Sequence, residues 1–190
     1  MDGYVLKSAR YLAQEMLSRV ISPGDTVVDA TTGNGYDTEF LCRLVGESGR
    51  VYAFDIQQDA LRVAETRLRE AGLLSRATLI HAGHEHMAEY IDSPVSAVVF
   101  NLGWLPGGDH TVTTRWETTK AAVEAAVSLL RIGGIVTICV YPGHEEGQRE
   151  QRELTAFLAA MSNKKYNILS QRFLNASSGA PECFVVQRIS

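Results

Sequence analysis

Short apolar, β-branched segments alternate with amphipathic segments along most of this chain, and this alternation constrains the fold more than any other feature. The strand-like segments lie at residues 26–30, 51–56, 77–81, 95–101 and 135–140. Between them, apolar residues recur every three or four positions, which is the period of a helix with one buried face. Strands that alternate with helices form a mostly parallel sheet covered by helices on both faces. The chain is therefore predicted to adopt an α/β fold.

The C-terminal part departs from that alternation. Residues 166–173 and 183–189 both have strand character, and no helical segment separates them. Two strands in direct succession are expected to pair as antiparallel neighbours. Seven strands that end in such a hairpin fit the Rossmann-like class I methyltransferase arrangement better than the dinucleotide-binding one. The pair Gly133-Gly134 is predicted to end the helix before the fifth strand.

The chain length and the net charge limit the number of domains and the kinds of partner that this protein can have. A chain of 190 residues has the length of one domain, so we expect a single domain over residues 1–190. A net charge of −4 argues against a protein that coats nucleic acid through bulk positive charge. A small basic rim remains compatible with an RNA substrate. Its candidates, which we expect near the ligand-binding edge of the sheet, are Lys7, Arg10, Arg115, Lys120, Lys164, Lys165 and Arg172.

The cysteines and the N-terminal residues bear on the compartment. Cys42, Cys139 and Cys183 are scattered and form no C-x-x-C pair, which is typical of reduced thiols in an apolar core. No apolar run reaches the roughly 18 residues of a membrane span. The first residues lack the basic and apolar regions of a signal peptide. We therefore expect a soluble cytoplasmic protein.

The loop after the first strand reads Asp-Ala-Thr-Thr-Gly-Asn-Gly over residues 29–35. Ligands of open α/β sheets bind beyond the carboxyl ends of the strands, where this loop lies. A dinucleotide fingerprint needs a third glycine, and Thr38 occupies that position. S-adenosylmethionine has no pyrophosphate and needs only a tight glycine turn with a carboxylate nearby, and Asp29 could serve its amino group. An ordinary glycine turn remains the alternative.

Asp55 ends the second strand, and a carboxylate there can accept two hydrogen bonds from a ribose diol. This interpretation fits NAD and S-adenosylmethionine equally. Ile56 could pack on an adenine face. Gly83 and His84 follow the third strand, where an adenine edge would lie, although His84 could instead cap the next helix. His84 and His86 lack a third ligand at a suitable spacing, so no metal site is expected.

The loop over residues 101–110 carries the most chemistry. Asn101 ends a buried strand, and Trp104 follows three positions later. Enzymes that methylate amino nitrogens often place Asn or Asp, two small or Pro residues and an aromatic here. The amide oxygen can accept a hydrogen bond from an amine and orient its lone pair, while the aromatic stacks on a base. The alternative is a glycine-rich surface loop whose Trp closes the core.

A second polar cluster follows the fifth strand. Tyr141 and His144 would lie beside the Asn101 loop at the same edge of the sheet. The cluster is not a His-Glu-x-x-His zinc motif, because position 148 is Gln. Both side chains are therefore candidates for substrate contacts. Either could instead cap the helix that begins near Glu145.

Four motifs together carry a resemblance to a known family, at residues 29–38, 54–57, 101–109 and 143–148. They resemble the YtqB-like proteins, long labelled rRNA methylases and identified as MnmM-type tRNA methyltransferases. The resemblance implies an S-adenosylmethionine-dependent enzyme that methylates the amino group of 5-aminomethyl-(2-thio)uridine at tRNA wobble position 34. The product would be the 5-methylaminomethyl form. The anticodon stem-loop would be the RNA partner, and a homodimer stays open.

The resemblance and the loops above define the candidate site. The predicted cofactor-binding residues are Asp29, Thr31, Gly33, Asn34, Gly35, Asp37, Thr38, Asp55, Ile56, Gln57, Gly83, His84, Asn101, Leu102 and Gly103. The predicted substrate-binding residues are Trp104, Gly108, Asp109, His110, Tyr141, His144 and Asn175. Asn101, Asp109, Tyr141 and His144 are the catalytic candidates, and any of Asp109, His110, Tyr141 and His144 could act as a base.

Three alternatives stay open at this point. Another RNA, such as rRNA, could be the substrate. A dinucleotide-dependent oxidoreductase could use the same Asp55, and a cofactor-binding protein without catalysis could act as an RNA-binding module. The segment 175–183 departs from the Asn-rich pattern usual in the family, although Asn175 and Pro181 are present. That departure puts substrate affinity in doubt.

Overall fold

The computed structural model describes residues 8–109, 111–177 and 179–190, and in these ranges seven strands form one mixed sheet. The strands are β1 (Thr26–Asp29), β2 (Arg50–Asp55), β3 (Ala77–His81), β4 (Val95–Leu102), β5 (Leu130–Val140), β6 (Tyr166–Gln171) and β7 (Glu182–Arg188). The helices are α1 (Ala9–Val20), α2 (Tyr36–Val45), α3 (Gln58–Glu70), α4 (Met87–Tyr90), α5 (Trp116–Leu129) and α6 (Glu145–Ala159). Short 3₁₀ turns lie at Leu74–Arg76 and His84–His86.

The strand order is β3-β2-β1-β4-β5-β7-β6. The first five strands pair in parallel, while β7 is antiparallel to both β5 and β6. The predicted α/β fold with a closing antiparallel hairpin is confirmed. β1 and β4 lie in the middle of the sheet, which is why their sequences are almost continuously apolar.

Two clusters of buried side chains cover the two faces of the sheet. Neighbouring residues of β4 belong to different clusters, Val98 to one and Val99 to the other, because successive strand residues point to opposite faces. α1, α2 and α3 contribute Leu17, Leu41 and Leu68 to the Val99 face. α5 and α6 cover the Val98 face.

The end of α5 differs from the prediction. The helix ends at Leu129, and β5 begins at Leu130, so Gly133-Gly134 lies inside the strand. Gly133 has a φ of 81°, and the pairing with β4 changes register here. A side chain on Gly134 would place its Cβ 2.9 Å from the carbonyl oxygen of Ser96. The glycine pair therefore serves an irregularity of the strand rather than the end of the helix.

The hairpin strands are also shorter than predicted at one end, since β6 stops at Gln171. β6 runs parallel to β5, because each of them is antiparallel to β7. The strand therefore begins at the edge of the sheet opposite to Asn101. Lys164 and Lys165 precede β6, so their predicted position near the ligand edge is wrong. Arg172 follows β6 and lies at the same edge as Asn101.

The three cysteines are free and buried, and within the described ranges no helix is both long and apolar enough to cross a membrane.

Candidate functional site

The loop between β1 and α2 is a tight turn that depends on glycine. Gly33 and Gly35 have φ values of 49° and 77°, which side chains rarely adopt. A Cβ on Gly35 would lie 2.8 Å from the Cα and Cβ of Ala64 on α3. The turn is closed by a hydrogen bond that Gly35 N donates to the Thr32 carbonyl oxygen at 2.8 Å. The first N–H groups of α2 follow directly, and such groups favour a negatively charged ligand.

Asp29 lies beneath this loop with no exposed surface. Its carboxyl accepts hydrogen bonds from Thr38 Oγ1 at 2.6 Å and from Thr31 N at 3.2 Å. Burial, and then the negative charge of Asp37, raise the pKa of Asp29 to about 7. Thr38 thus replaces the third glycine of a dinucleotide fingerprint with a side chain that holds Asp29. The predicted contact of Asp29 with the cofactor stays a prediction.

Asp55 connects the glycine turn to the end of β2. Its two carboxylate oxygens accept hydrogen bonds from Gly33 N and Gln57 N, both at 2.8 Å. Each carboxylate oxygen can accept a second hydrogen bond, so Asp55 keeps acceptor capacity for hydroxyl groups. Ile56 is 58% exposed beside it, an open apolar surface suited to a flat ring. Asn34 lies on the far side of the turn, with its side chain directed to the Pro106 carbonyl oxygen at 3.5 Å.

His84 is buried below the site and follows Gly83 in a 3₁₀ turn. Its Nδ1 lies 3.2 Å from the Ala30 carbonyl oxygen, which can only accept, so Nδ1 carries the proton. Burial lowers the pKa of His84, and the ring packs edge-on against Phe100. His84 therefore supports the end of β1, and its contact with an adenine edge stays a prediction. Within residues 8–109, 111–177 and 179–190, no three His, Cys, Asp or Glu side chains are grouped for a metal ion.

Asn101 lies at the end of β4, next to the glycine turn. Its backbone N–H donates to Thr31 Oγ1 at 2.8 Å, and its side-chain Nδ2 donates to Asp37 Oδ2 at 2.9 Å. The side-chain Oδ1 is buried and has no hydrogen-bond partner among residues 8–109, 111–177 and 179–190. A buried acceptor without a partner is rare in native proteins and marks a position where a ligand donor fits.

The segment that follows β4 packs against the glycine turn. Gly103 has a φ of 149°, and Trp104 forms an isolated antiparallel bridge with Thr113. The Leu105 side chain lies so close to Gly33 that a Cβ there would be 3.2 Å from Leu105 Cδ1. The two predicted ligand loops are therefore in direct contact. Gly108 closes a turn by donating its N–H to the Leu105 carbonyl oxygen at 2.9 Å.

Asp109 is exposed in the same segment, and its Oδ1 accepts a hydrogen bond from Thr111 N at 2.8 Å. His110, which the sequence also assigned to the substrate site, lies outside the described residues. The end of the segment is anchored by Glu150, a buried residue of α6 that was not among the predicted site residues. Glu150 accepts hydrogen bonds from Thr114 Oγ1 at 2.8 Å and from the hydroxyl of Thr119. Burial raises the pKa of Glu150.

His144 occupies the N-cap position of α6, but its side chain makes no capping hydrogen bond. Its ring lies against Trp104, with 4.2 Å between the ring centroids and 44° between the ring planes. The structure thus brings together the substrate candidates of two loops. His144 Nε2 is buried and has no hydrogen-bond partner among the residues that the structure describes. Tyr141 is 37% exposed, and burial of its hydroxyl raises the pKa of Tyr141 to about 12. Asn175 is exposed in the β6–β7 segment, which touches Pro142 and Gly143 through Gly179.

Two residues of α1 contribute to the site, although the sequence analysis did not assign this role to either of them. Arg10 and Gln14 both donate hydrogen bonds to the Asp37 carboxylate. Their spacing of four positions places them on the same face of the helix. This spacing is the sequence pattern that could have indicated a shared role. Arg10 was instead a candidate for the basic rim, and its guanidinium is paired with Asp37.

Comparison with known proteins shows the family to which this chain belongs. Residues 51–187 match the model of the putative rRNA methylase family. A putative rRNA methylase from Clostridium thermocellum is 42% identical with a TM-score of 0.96, covering 98% of this chain and all of that one. A putative methyltransferase from Streptococcus mutans, solved in complex with SAH, is 31% identical with a TM-score of 0.90, covering 97% of this chain and all of that one.

An Arabidopsis thaliana protein named tRNA (mnm(5)s(2)U34)-methyltransferase, chloroplastic, is 38% identical over 167 residues. The match covers 82% of this chain and 61% of that protein, so this chain spans less than two thirds of that relative's length. The strand order and closing hairpin agree with the fold of the two solved structures. The chain belongs to the putative rRNA methylase family and has the class I S-adenosylmethionine-dependent methyltransferase fold.

Proposed function

We propose that this protein is an S-adenosylmethionine-dependent methyltransferase that modifies tRNA. Its substrate is the 5-aminomethyl group of 5-aminomethyl-(2-thio)uridine at wobble position 34, and its product is the 5-methylaminomethyl nucleoside. The observation that carries the proposal is the buried acceptor Asn101 Oδ1, which has no hydrogen-bond partner in the described part of the chain and lies where the glycine turn and the Trp104 loop meet. The name of the Arabidopsis relative supports the choice of substrate.

The residues around the glycine turn fit S-adenosylmethionine. Gly33 and Gly35 keep the turn free of side chains, and Asp55 retains acceptor positions for the ribose hydroxyls. Ile56 offers an exposed apolar surface for the adenine ring. Asp29, directly below the turn, can balance the positive amino group of the methionine moiety. Bound there, the cofactor supplies a methyl group that is already activated by its sulfonium.

Because the methyl group is already activated, the protein has to hold the substrate amine in the correct geometry for attack. Asn101 Oδ1 accepts one amine N–H, which turns the nitrogen lone pair toward the methyl group. Positioning of this kind converts a bimolecular reaction into an effectively unimolecular one. The Trp104 and His144 rings provide an aromatic surface on which the uridine base can stack. The contact between Leu105 and Gly33 helps to exclude water from the space between the two loops.

The amine must also lose a proton before it can react, because a primary alkylamine is mostly protonated at neutral pH. A partly desolvated pocket lowers the pKa of a cationic amine and so favours the reactive form. Asp109 and His144 are the described candidates that could accept the proton. Tyr141 is poorly suited to act as the base, since its pKa of about 12 keeps the hydroxyl protonated near neutrality.

The anticodon stem-loop would approach the edge of the sheet that carries Asn101. Arg172 after β6 and Arg115 before α5 are exposed basic residues at this edge. A few phosphate contacts of this kind suffice to position an RNA hairpin, and they agree with a net charge of −4. Binding is expected to weaken as the salt concentration rises.

Nucleoside mass spectrometry tests the proposal. Total tRNA from a strain that lacks the gene should accumulate the 5-aminomethyl nucleoside and lose the methylated one. The purified protein with S-adenosylmethionine should restore the methyl group, and the Asn101→Ala variant should restore it much more slowly. A methyl group that appears on an rRNA nucleoside instead would favour the family's older description and refute the tRNA assignment.

A further inference from the structure

Asp37, in the first turn of α2, joins three separate elements of the protein at the candidate site. Its Oδ1 accepts hydrogen bonds from Arg10 Nε at 3.0 Å and Gln14 Nε2 at 2.7 Å, both on α1. Its Oδ2 accepts from Arg10 Nε at 2.9 Å and from Asn101 Nδ2 at 2.9 Å, at the end of β4. The residue is only 8% exposed. A carboxylate in this position is held too firmly to serve as a mobile surface charge.

The chemistry of these partners fixes the orientation of the Asn101 amide. A carboxylate paired with a guanidinium can only accept hydrogen bonds. The atom of Asn101 that faces Asp37 must therefore be the amide nitrogen, and the amide oxygen must face away. The opposite orientation would place two acceptors 2.9 Å apart.

A second contact prevents the rest of Asn101 from moving. The backbone N–H of Asn101 donates to Thr31 Oγ1 at 2.8 Å, so its main chain is tied to the glycine turn. With both the main chain and the amide nitrogen fixed, Oδ1 has one available direction. That oxygen is buried and has no partner among the described residues.

We propose that Asp37, held by Arg10 and Gln14, is the positioning residue that orients Asn101 toward the amine substrate. The inference rests on the proposed function, since it concerns the acceptor that receives the substrate N–H. The negative charge of Asp37 also polarises the amide, because hydrogen bonds in a chain strengthen one another. Electron density shifts toward Oδ1, which makes it a stronger acceptor for the substrate N–H. Through Arg10 and Gln14, α1 becomes part of the active site although it need not touch a ligand.

Kinetics of a double-mutant cycle provide the first test. Asp37→Asn keeps the shape of the side chain and removes its charge. Arg10 then donates to the one side-chain oxygen that remains at position 37, so the new NH₂ group faces Asn101. We expect kcat for tRNA methylation to fall at least tenfold, with the KM for S-adenosylmethionine and the Kd for S-adenosylhomocysteine changed less than twofold. In an Asn101→Ala background, the same substitution should cause no further loss, because the residue through which it acts is absent.

Glu65→Gln is the matched control, since it removes a carboxylate from an exposed ion pair with Arg69 on α3. It should leave kcat within twofold of the wild type. If the fold-losses in kcat of the two single variants multiply in the Asp37→Asn, Asn101→Ala double variant, the proposal is overturned. A kcat within twofold of the wild type for Asp37→Asn alone would also overturn it.

An NMR measurement on the cofactor-free protein gives a readout that does not depend on activity. The side-chain NH₂ signals of Asn101 are identified in a ¹H–¹⁵N spectrum by their loss in Asn101→Ala. We expect these signals to shift in Asp37→Asn and to stay in place in Glu65→Gln. Unchanged signals in Asp37→Asn would overturn the proposal. A wild-type protein that methylates no RNA but shows the expected shift would support the positioning role and refute only the proposed function.

Discussion

The buried carboxyl of Asp29 leads to a prediction about stability and pH. Burial and the charge of Asp37 raise the pKa of Asp29 from its ordinary 3.8 to about 7. In the unfolded chain, this carboxyl loses its proton near pH 4, whereas in the folded protein it keeps the proton until about pH 7. The unfolded state therefore binds fewer protons between these values, and the free energy of unfolding must fall as the pH rises.

The magnitude follows from the same difference. Each pH unit within the window should lower the free energy of unfolding by about 1.4 kcal/mol, and the whole shift is worth about 4 kcal/mol. Asp29→Asn removes the titrating group while keeping its shape and an acceptor oxygen. The stability of the variant relative to the wild type should therefore increase by about 2 kcal/mol between pH 5 and pH 6.5. Above about pH 7, the difference should stay constant.

Urea unfolding of both proteins at a series of pH values measures this difference, and the other titrating groups cancel in the comparison. Asp59→Asn is the matched control, because its side chain is 89% exposed and meets water in both states. The difference between this variant and the wild type should change with pH much less than the difference for Asp29→Asn. A flat difference for Asp29→Asn would mean that the carboxyl is ionised throughout. A slope of opposite sign would mean that the folded protein favours the carboxylate, and either result would refute the reasoning.

Three further substitutions test the packing of the site. Gly35→Ala should lower the free energy of unfolding by more than about 2 kcal/mol, whereas Gly72→Ala, with a similar φ of 69° and no atom within 4 Å, should cost about 1 kcal/mol in urea unfolding. Gly147→Ala places a Cβ 2.6 Å from the Tyr141 carbonyl oxygen and 2.7 Å from the His144 ring, so it should raise the KM for the proposed tRNA substrate while leaving cofactor affinity unchanged in titration calorimetry. Glu150→Ala removes the acceptor of two threonine hydroxyls and should lower the free energy of unfolding by about 2–3 kcal/mol, again measured in urea.

The position of the site could be predicted from the sequence because it follows from periodicity and topology. Asp29, Asp55 and Asn101 each end a strand of the parallel part of the sheet, and the carboxyl ends of parallel strands meet at one edge. No long-range contact has to be known for this inference. The same rule corrects the placement of Lys164 and Lys165, which precede their strand rather than follow it.

The partners of the buried polar groups could not be predicted in the same way. Asp37 and Asn101 are 64 positions apart in the chain, and no local sequence pattern predicts the hydrogen bond between them. Glu150 had a local signal, because it continues the four-residue spacing of the buried Leu154 and Leu158 on α6. A charged residue on an apolar helix face is buried only when it has partners. Those partners, Thr114 and Thr119, come from another part of the sequence.

The two acidic residues below the glycine turn have different roles, and a single carboxyl could not combine them. Asp37 is paired with the Arg10 guanidinium, so it can hold a negative charge while it fixes the Asn101 amide. In the described part of the chain, Asp29 accepts hydrogen bonds from the neutral donors Thr31 and Thr38, and the nearby charge of Asp37 opposes its ionisation. A positive group that arrives above the turn offsets that repulsion and favours loss of the Asp29 proton. In the proposed function, Asp29 can thus adjust its charge to the ligand, while Asp37 keeps the Asn101 amide in a constant orientation.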